Sequence, residues 1–252
     1  MSERERKTQF DTTVSAYEHS MGEMPLRKYV EEFTFRHAVG NVRDLSVLDM
    51  GCGSGLFTRE LKAGGAREIV GVDASEPMIA YARRREEQEG LGIEFRTGNV
   101  TETLQDLEGR FDLVTAVYML PYAQTAKDLT AMCDMARRAL RPGTGGRFVT
   151  YTINPDLSAA ERYQPYGLAP ALPEPRYDGK PGRLQARFGE HTLDLEFFYW
   201  SRAAQEEAMR QAGFTHLTWI NPQVSPEGAA RFGGQFWDAY LTCPHALILE
   251  AH

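Results

Sequence analysis

Cysteine is scarce in this chain. Cys52, Cys133 and Cys243 are the only three in 252 residues, an odd number with no close pair. This excludes a disulfide-stapled secreted scaffold and fits a reducing, cytoplasmic setting. Long apolar runs are also missing. None approaches the ~18 residues a membrane helix needs, and the opening MSERERKTQF lacks the apolar core of a secretion signal. Basic blocks are thin: 28 Lys and Arg face 35 Asp and Glu, a net charge of −7. The densest basic run, Arg83 to Arg85, is answered at once by Glu86, Glu87 and Glu89 and reads as a solvated helix face. Nucleic-acid binders concentrate cations to release phosphate counterions, so a nucleic-acid partner is not expected. No histidines or cysteines share ligand spacing, so no metal is expected either. These absences leave a cytoplasmic protein without membrane contact, a monomer or homodimer acting on small molecules.

What is present is an ordered alternation. Residues 1–9 are charged and expected to be disordered, and FDTTVSAYEHS then spaces Phe10, Val14 and Tyr17 as a helix would. A second helix opens at Pro25 and is expected to bury Leu26, Val30, Phe33 and His37 before Gly40 ends it. From Leu45 onward, five apolar runs (SVLDMG, EIVGVD, IEFRTG, FDLVTAVYML, GRFVTYTI) alternate with helical segments near 56–63, 77–89 and 127–140. Strands of that kind belong in a parallel sheet covered on both faces, joined by right-handed crossovers. After Ile153 the rhythm breaks into a stretch with six prolines over 154–182. RLQARFGEHTLDLEFFYW then alternates like a hairpin on both sides of Gly189. A helix from Ser201 to Gly213 and two strands, THLTWI and HALILEA, close the chain, joined by the aromatic connection SPEGAARFGGQFWDAY. The reading is one α/β domain over 1–252. Its parts are a helical lid (10–40), a doubly wound core (41–153), a cap insertion (154–200) and a C-terminal helix with strands (201–252).

The stretch SVLDMGCGSGLFTREL sets the chemistry. Gly51, Gly53 and Gly55 read G-x-G-x-G, with Leu56 where the dinucleotide fingerprint needs its last glycine. Asp49 stands at the strand end, where a carboxylate repels a pyrophosphate and suits an ammonium or sulfonium. The helix that starts near Leu56 favours an anion such as a carboxylate at its N-terminus. Eighteen residues after Gly55 the second strand ends at Asp73, where an acid can hold both hydroxyls of a ribose. A ligand with these charges and an adenosine is S-adenosylmethionine.

With these motifs in register, the chain resembles the class I S-adenosylmethionine-dependent methyltransferases. VLDMGCGSG is similar to their first motif, GVDAS to the second, and FRTGNV to the segment that frames adenine. FDLVTAVYML resembles their fourth strand and ARRALRPGTGGRFV the turn before the fifth. The resemblance implies a Rossmann-like, seven-stranded, mostly parallel sheet whose last strand is antiparallel. It also implies that Gly51, Gly53 and Gly55 approach the methionine end and that Asp73, beside Ala74, binds ribose. Met78 would pack on adenine, Val100 offer its amide to the ring, and Ala116 offer a carbonyl to the ammonium. Where the family has Asp, this chain has Asn99, whose amide oxygen can still accept from the adenine amino group. PLRKYVEEFTF, FFYWSRAAQEEAMRQAGF and SPEGAARFGGQFWDAYLTCPHALILEA further resemble small-molecule N-methyltransferases of bacterial secondary metabolism, toxoflavin-type enzymes among them.

Methyl transfer neutralises charge as it proceeds, so alignment in a dry pocket can supply most of the rate. Tyrosines are the leading pocket candidates, because their faces stabilise a sulfonium and their hydroxyls orient a heterocycle. Tyr17 and Tyr118 are assigned to catalysis, Tyr29 and Tyr122 to the substrate pocket. Of the histidines, His19 and His191 in the lid and cap are placed where a base would act. His37 reads as core, and His216 and His245 as structural strand starts. Phe236 and Trp237 read as a plug at the end of the sheet. Three rival readings stay open: a nucleic-acid methyltransferase, a nicotinamide oxidoreductase, and a non-enzymatic sensor on the same fold.

Overall fold

The computed structural model describes Val14, Glu18 and residues 24–100, 105–172, 174–188 and 191–252, with backbone only for Phe188 and His191. The central sheet is built from β1 (Ser46–Met50), β2 (Glu68–Asp73), β3 (Glu94–Thr97), β4 (Leu113–Val117) and β5 (Arg147–Ile153). Two later strands, β9 (Leu217–Ile220) and β10 (Ala246–Ala251), complete it in the order β3-β2-β1-β4-β5-β10-β9. The first five strands pair in parallel, and β10 runs antiparallel to both of its neighbours. HALILEA is thus the antiparallel last strand that the resemblance implied.

Every residue of β1 is buried, as a central parallel strand covered on two sides must be. One face carries α1 (Glu32–Val39), α2 (Leu56–Ala63) and α3 (Glu76–Glu89), which pack Phe35, Phe57, Leu61, Ile79 and Ala82 over Val47, Ile69 and Val149. The other carries α4 (Ala126–Ala139) and α5 (Arg202–Gln211), where Leu129, Cys133, Ala136 and Met209 cover Leu48, Met50 and Val114. Side-chain caps start α3 and α4: Ser75 accepts from the Met78 amide, and Thr125 forms a reciprocal box with Asp128.

A second core sits over the carboxyl edge of the sheet. Within the proline-rich stretch the chain makes two 3₁₀ turns, Ala160–Arg162 and Gln164–Tyr166, and then strand β6 (Leu168–Ala171). β6 joins the hairpin of β7 (Lys180–Phe188) and β8 (His191–Tyr199) in a separate three-stranded antiparallel sheet. Register gives this cap one apolar face. Leu168 lies opposite Ala186, Ala186 opposite Leu193, Leu184 opposite Leu195, and Gly182 opposite Phe197. The aromatic connection, read above as a link, is two helices, α6 (Pro226–Phe232) and α7 (Gly234–Thr242). They bury Trp237 and Tyr240 against Tyr163 and Tyr166 of the cap. No helix among the described residues is long and apolar enough to cross a membrane.

The helix opened by Pro25 differs from its expected register. Residues Arg27–Glu31 wind as a π turn before α1, which inserts one extra residue into the helical repeat. The buried stripe therefore runs Leu26, Val30, Phe35, Val39. Phe33 becomes half-buried and His37 is exposed, not core. The same shift turns Arg27 and Glu31 inward.

Candidate active site

The carboxyl ends of β1, β2 and β4 open into one cavity of about 580 Å³, a size typical of small-molecule sites. Its floor is the glycine turn between β1 and α2. Gly51 and Gly53 line it with φ of 68° and 55°. A Cβ on Gly53 would meet no protein atom within 4 Å, so the space beside that turn belongs to the cavity. Gly55 does not line it, contrary to the expectation above. It caps α2 at φ 82°, and a Cβ there would come within 2.7 Å of the Phe95 ring. Its lack of a side chain serves helix–strand packing.

Asp73 lines the cavity at the end of β2. Its two oxygens accept the amides of Gly53 and Ser75, each at 2.8 Å. A carboxylate oxygen has two lone-pair directions, so each keeps one for a further donor. Burial raises the Asp73 carboxyl, and these two amides counter part of that rise. Asp49 is also on the wall, accepting from Thr58 Oγ1 at 2.6 Å and Thr115 Oγ1 at 2.9 Å. Burial pushes it up to about 6; the two threonines lower it and the nearby Asp73 charge raises it further. A cation in the cavity would relieve both acids. Ala74, Met78, Asn99 and Val100 complete this end. Ala116 does not reach the cavity, because it faces the core cluster between the sheet and α4; the neighbouring Val117 lines it instead. Cys52 is on the floor, but burial and the Asp73 and Asp49 charges push its thiol well up, so it is no nucleophile.

The opposite wall is the apolar face of the cap: Leu168, Leu184, Ala186, Leu193, Leu195 and Phe197. Tyr118 and Tyr122 line the passage between the two ends. Tyr118 terminates β4 at φ 60°, a conformation rare outside glycine and costing about 1–3 kcal/mol. Tyr29 is not in the cavity. It is buried under Gly228 and Phe232, and its hydroxyl lies 3.0 Å from Arg231 Nη1. Tyr17 lies outside the described residues, as do His19 and the side chain of His191. Glu18, next to Tyr17, binds Arg59 at 3.0 Å, and Arg59 donates to the Ser54 carbonyl at 2.7 Å. Glu18 is thereby tied to the glycine turn. Phe236 and Trp237 plug the second core away from the cavity.

Sequence reasoning missed the polar group on the wall. Glu31, Arg27 and His245 all line the cavity. Glu31 holds Arg27 Nη1 at 2.7 Å through one oxygen and faces His245 Nε2 at 3.3 Å through the other, which also accepts the Tyr118 hydroxyl. Burial would raise Glu31, but Arg27, His245 and Tyr118 outweigh it and hold the carboxyl down at about 2. The Tyr118 hydroxyl is pushed well up by burial and by the Glu31 charge. His245, read above as a structural strand start, is in fact 2% exposed, and its Nδ1 lies 2.9 Å from the Tyr240 hydroxyl. The available signal was the pairing of HALILEA beside β5, which puts its first residues at the carboxyl edge.

Residues 47–143 match the family described as a methyltransferase domain, and they contain the glycine turn, Asp73 and the ends of β1 to β4. That segment of the chain is similar to a methyltransferase domain. S-adenosylmethionine is the cofactor of such a domain, and the residues present fit it: the buried Asp49 and half-buried Asp73 for its charges and hydroxyls, a glycine turn without side chains, and Met78, Asn99 and Val100 beyond. Among curated proteins, the chain is 29% identical over 109 residues to the ubiquinone biosynthesis O-methyltransferase of Pseudomonas paraeruginosa, covering 43% of this chain and 44% of that one. The chain thus spans under half the length of that relative. Among solved structures, it is similar to an S-adenosylmethionine-dependent methyltransferase from Mesorhizobium loti, with a TM-score of 0.61, 20% identity and coverage of 92% and 99%. It is also similar to the [4+2]-cyclase SpnF, with a TM-score of 0.56, 18% identity and coverage of 88% and 79%. At such identities the likeness shows that the chain shares their fold, and the cyclase's name shows that one fold houses more than one chemistry.

Proposed function

We propose that the protein methylates a small aromatic or heterocyclic metabolite enclosed between the glycine turn and the three-stranded cap. The observation that carries this reading is the continuity of one cavity from Asp73 to the apolar face of β6–β8. A single enclosed volume can hold a donor at one end and a flat apolar acceptor at the other, aligned and shielded from water. When bound, the cofactor supplies an electrophilic methyl group on a sulfonium. Asp73 holds the ribose through its two open lone pairs. Asp49 balances the positive charge, and Tyr118 and Tyr122 flank the methyl's path. Leu184, Leu195 and Phe197 exclude water from the acceptor side.

The roof of cap strands supports a small molecule over a nucleic acid, which would need an open cationic groove. A ring nitrogen is the methylated atom we favour, in bacterial secondary metabolism, on the resemblance of the flanking segments to toxoflavin-type enzymes. The relatives named for O-methylation match only about half of either chain, and they support a phenolic oxygen as the second reading. Titration calorimetry with S-adenosylhomocysteine, NADH and a DNA oligomer tests the cofactor side. Methyl-labelled S-adenosylmethionine, offered with ring N–H heterocycles and with phenols, tests the acceptor. Label on nitrogen supports the first reading and label on oxygen the second. Binding of NADH or DNA in place of S-adenosylhomocysteine sinks both.

A further inference from the structure

The methyltransferase reading leaves a buried polar cluster on the cavity wall without a task. Its members come from four separate places: Arg27 and Glu31 from the π turn, Tyr118 from the end of β4, His245 from the start of β10, and Tyr240 from α7. Placing a carboxylate, a guanidinium and an imidazole in an otherwise apolar wall is costly. A buried helical Glu–Arg pair could be purely structural, but then a histidine and a strained tyrosine at the same wall would need separate explanations.

We infer that His245, reached through the Tyr118 hydroxyl and backed by Glu31, is the proton acceptor of the reaction. The substrate class is therefore an acceptor whose nucleophilic atom still carries its proton: a ring N–H or a phenolic O–H. The inference rests on the methyltransferase reading given above.

The hydrogen-bond geometry supports both states of the ring. In the neutral form, Nδ1–H can donate to the Tyr240 hydroxyl at 2.9 Å, and Nε2, 3.2 Å from the Tyr118 oxygen, accepts the Tyr118 hydroxyl when its hydrogen turns from Glu31 Oε1 to the ring. In the protonated form both ring N–H groups still have acceptors, Tyr240 Oη and Glu31 Oε1, the latter at 3.3 Å. An imidazolium thus forms beside an ionised carboxylate whose second oxygen is already held by Arg27 at 2.7 Å. The remaining groups near the ring are Tyr163, edge-on at 6.4 Å, and Tyr151, stacked on Tyr118 at 5.5 Å. Neither brings a charge. The backbone of His245 is fixed as well: its carbonyl accepts the Asn154 amide at 2.8 Å, and the Asn154 side chain donates to the Pro244 carbonyl at 2.7 Å.

The step balances. The N–H or O–H bond of the acceptor breaks, its proton passes to the Tyr118 oxygen, and the Tyr118 proton passes to His245 Nε2. The electron pair left on the acceptor forms the new bond to carbon, and sulfur keeps the pair of the bond it loses. The positive charge that leaves sulfur reappears on His245, paired with Glu31.

The test uses 4-nitrophenol, whose phenolate is coloured and whose phenol is not, added to the full chain saturated with S-adenosylhomocysteine. In the wild type, the bound probe is expected to ionise at a pH at least one unit lower than the free probe. His245→Gln, which can hydrogen-bond to Glu31 but cannot take a proton at neutral pH, and Tyr118→Phe are both expected to abolish that shift. Turnover with labelled cofactor should fall by about 10²–10⁴-fold in His245→Gln for a weakly acidic acceptor. It should recover as the pH approaches the acceptor's own pKa. A probe that does not enter the cavity, or equal ionisation in wild type and both variants, would overturn the assignment while S-adenosylhomocysteine still binds. Loss of S-adenosylhomocysteine binding by the wild type would instead sink the methyltransferase reading itself.

Discussion

Tyr118 and His245 stand 127 residues apart in the chain, yet the tyrosine hydroxyl lies 3.2 Å from Nε2 of the histidine. The contact exists because β10 returns antiparallel beside β5, bringing the start of the last strand to the edge where β4 ends. A left-handed residue at that edge then turns the Tyr118 side chain toward the histidine instead of along the strand. The sheet's one antiparallel insertion thus assembles a polar wall from opposite ends of the sequence.

Tyr118→Phe is expected to separate chemistry from cofactor binding. The ring keeps its stack on Tyr151, while the hydroxyl's link between Glu31 and His245 is lost. The turnover number should fall about 10²-fold, with the Kd for S-adenosylhomocysteine unchanged in calorimetry. An equal loss of both would remove Tyr118 from the acceptor side.

Asp73→Ala should weaken S-adenosylhomocysteine binding by about a hundredfold or more, because two hydrogen bonds to a charged group contribute roughly 1.5–3 kcal/mol each. It also leaves the Gly53 and Ser75 amides without their acceptor, so a lower thermal midpoint should accompany a native circular dichroism spectrum. Asp73→Asn keeps one acceptor oxygen and should fall between. Unaltered affinity in either variant would refute the ribose assignment.

Asp49 predicts a trade between stability and charge. Its carboxyl ionises at about 6 in the fold against an ordinary value of 3.8, so the folded protein binds that proton more readily than the unfolded chain. The sign follows: its contribution to stability is most favourable below 3.8, declines as pH rises through 6, and stays unfavourable above it, by about 3 kcal/mol. Asp49→Asn is therefore expected to stabilise the protein at pH 8 relative to pH 4 in denaturant titrations. The same variant should lose affinity for cationic S-adenosylmethionine more than for neutral-sulfur S-adenosylhomocysteine. An identical stability difference at both pH values would count against a buried, ionising Asp49.

Gly55→Ala tests whether this glycine serves packing and not the ligand. The new Cβ would press on Phe95 from a left-handed backbone, costing about 2 kcal/mol or more. Melting temperature should drop, with S-adenosylhomocysteine affinity retained in the protein that stays folded. A variant of native stability with lost affinity would put Gly55 back in the cavity.

The parallel core was legible because a strand buried on two faces must be mostly apolar, and β1, β2, β4 and β5 are apolar over most of their length. The hairpin was legible for the opposite reason: β7 and β8 have one wet face, so Leu184, Ala186, Leu193, Leu195 and Phe197 alternate with polar neighbours. Asp73 and the glycine turn announced themselves by spacing alone. The polar wall did not. Glu31 reads as a solvated helix residue at ordinary helical pitch, and only the π turn rotates it inward. His245 looks like any residue opening a strand until β10 is known to insert beside β5. Helices α6 and α7 were hidden by the glycines at 228, 233 and 234, which lower helix propensity, although burial of Trp237 and Tyr240 outweighs that loss. Tyr29 was misplaced for want of Gly228, whose bare backbone lets another helix cover it.

The π turn makes the shape of the catalytic roof depend on chain length as much as on residue identity. Removing the exposed Lys28 deletes no side chain that faces the cavity, yet five residues would no longer fill the widened turn. Rewinding to an ordinary α-helix would swing everything upstream through about 100°, carrying Met24 and Arg27 off the wall and stripping Glu31 of its counter-ion. A single lost codon at this exposed position would thus disturb the wall more thoroughly than many substitutions inside it.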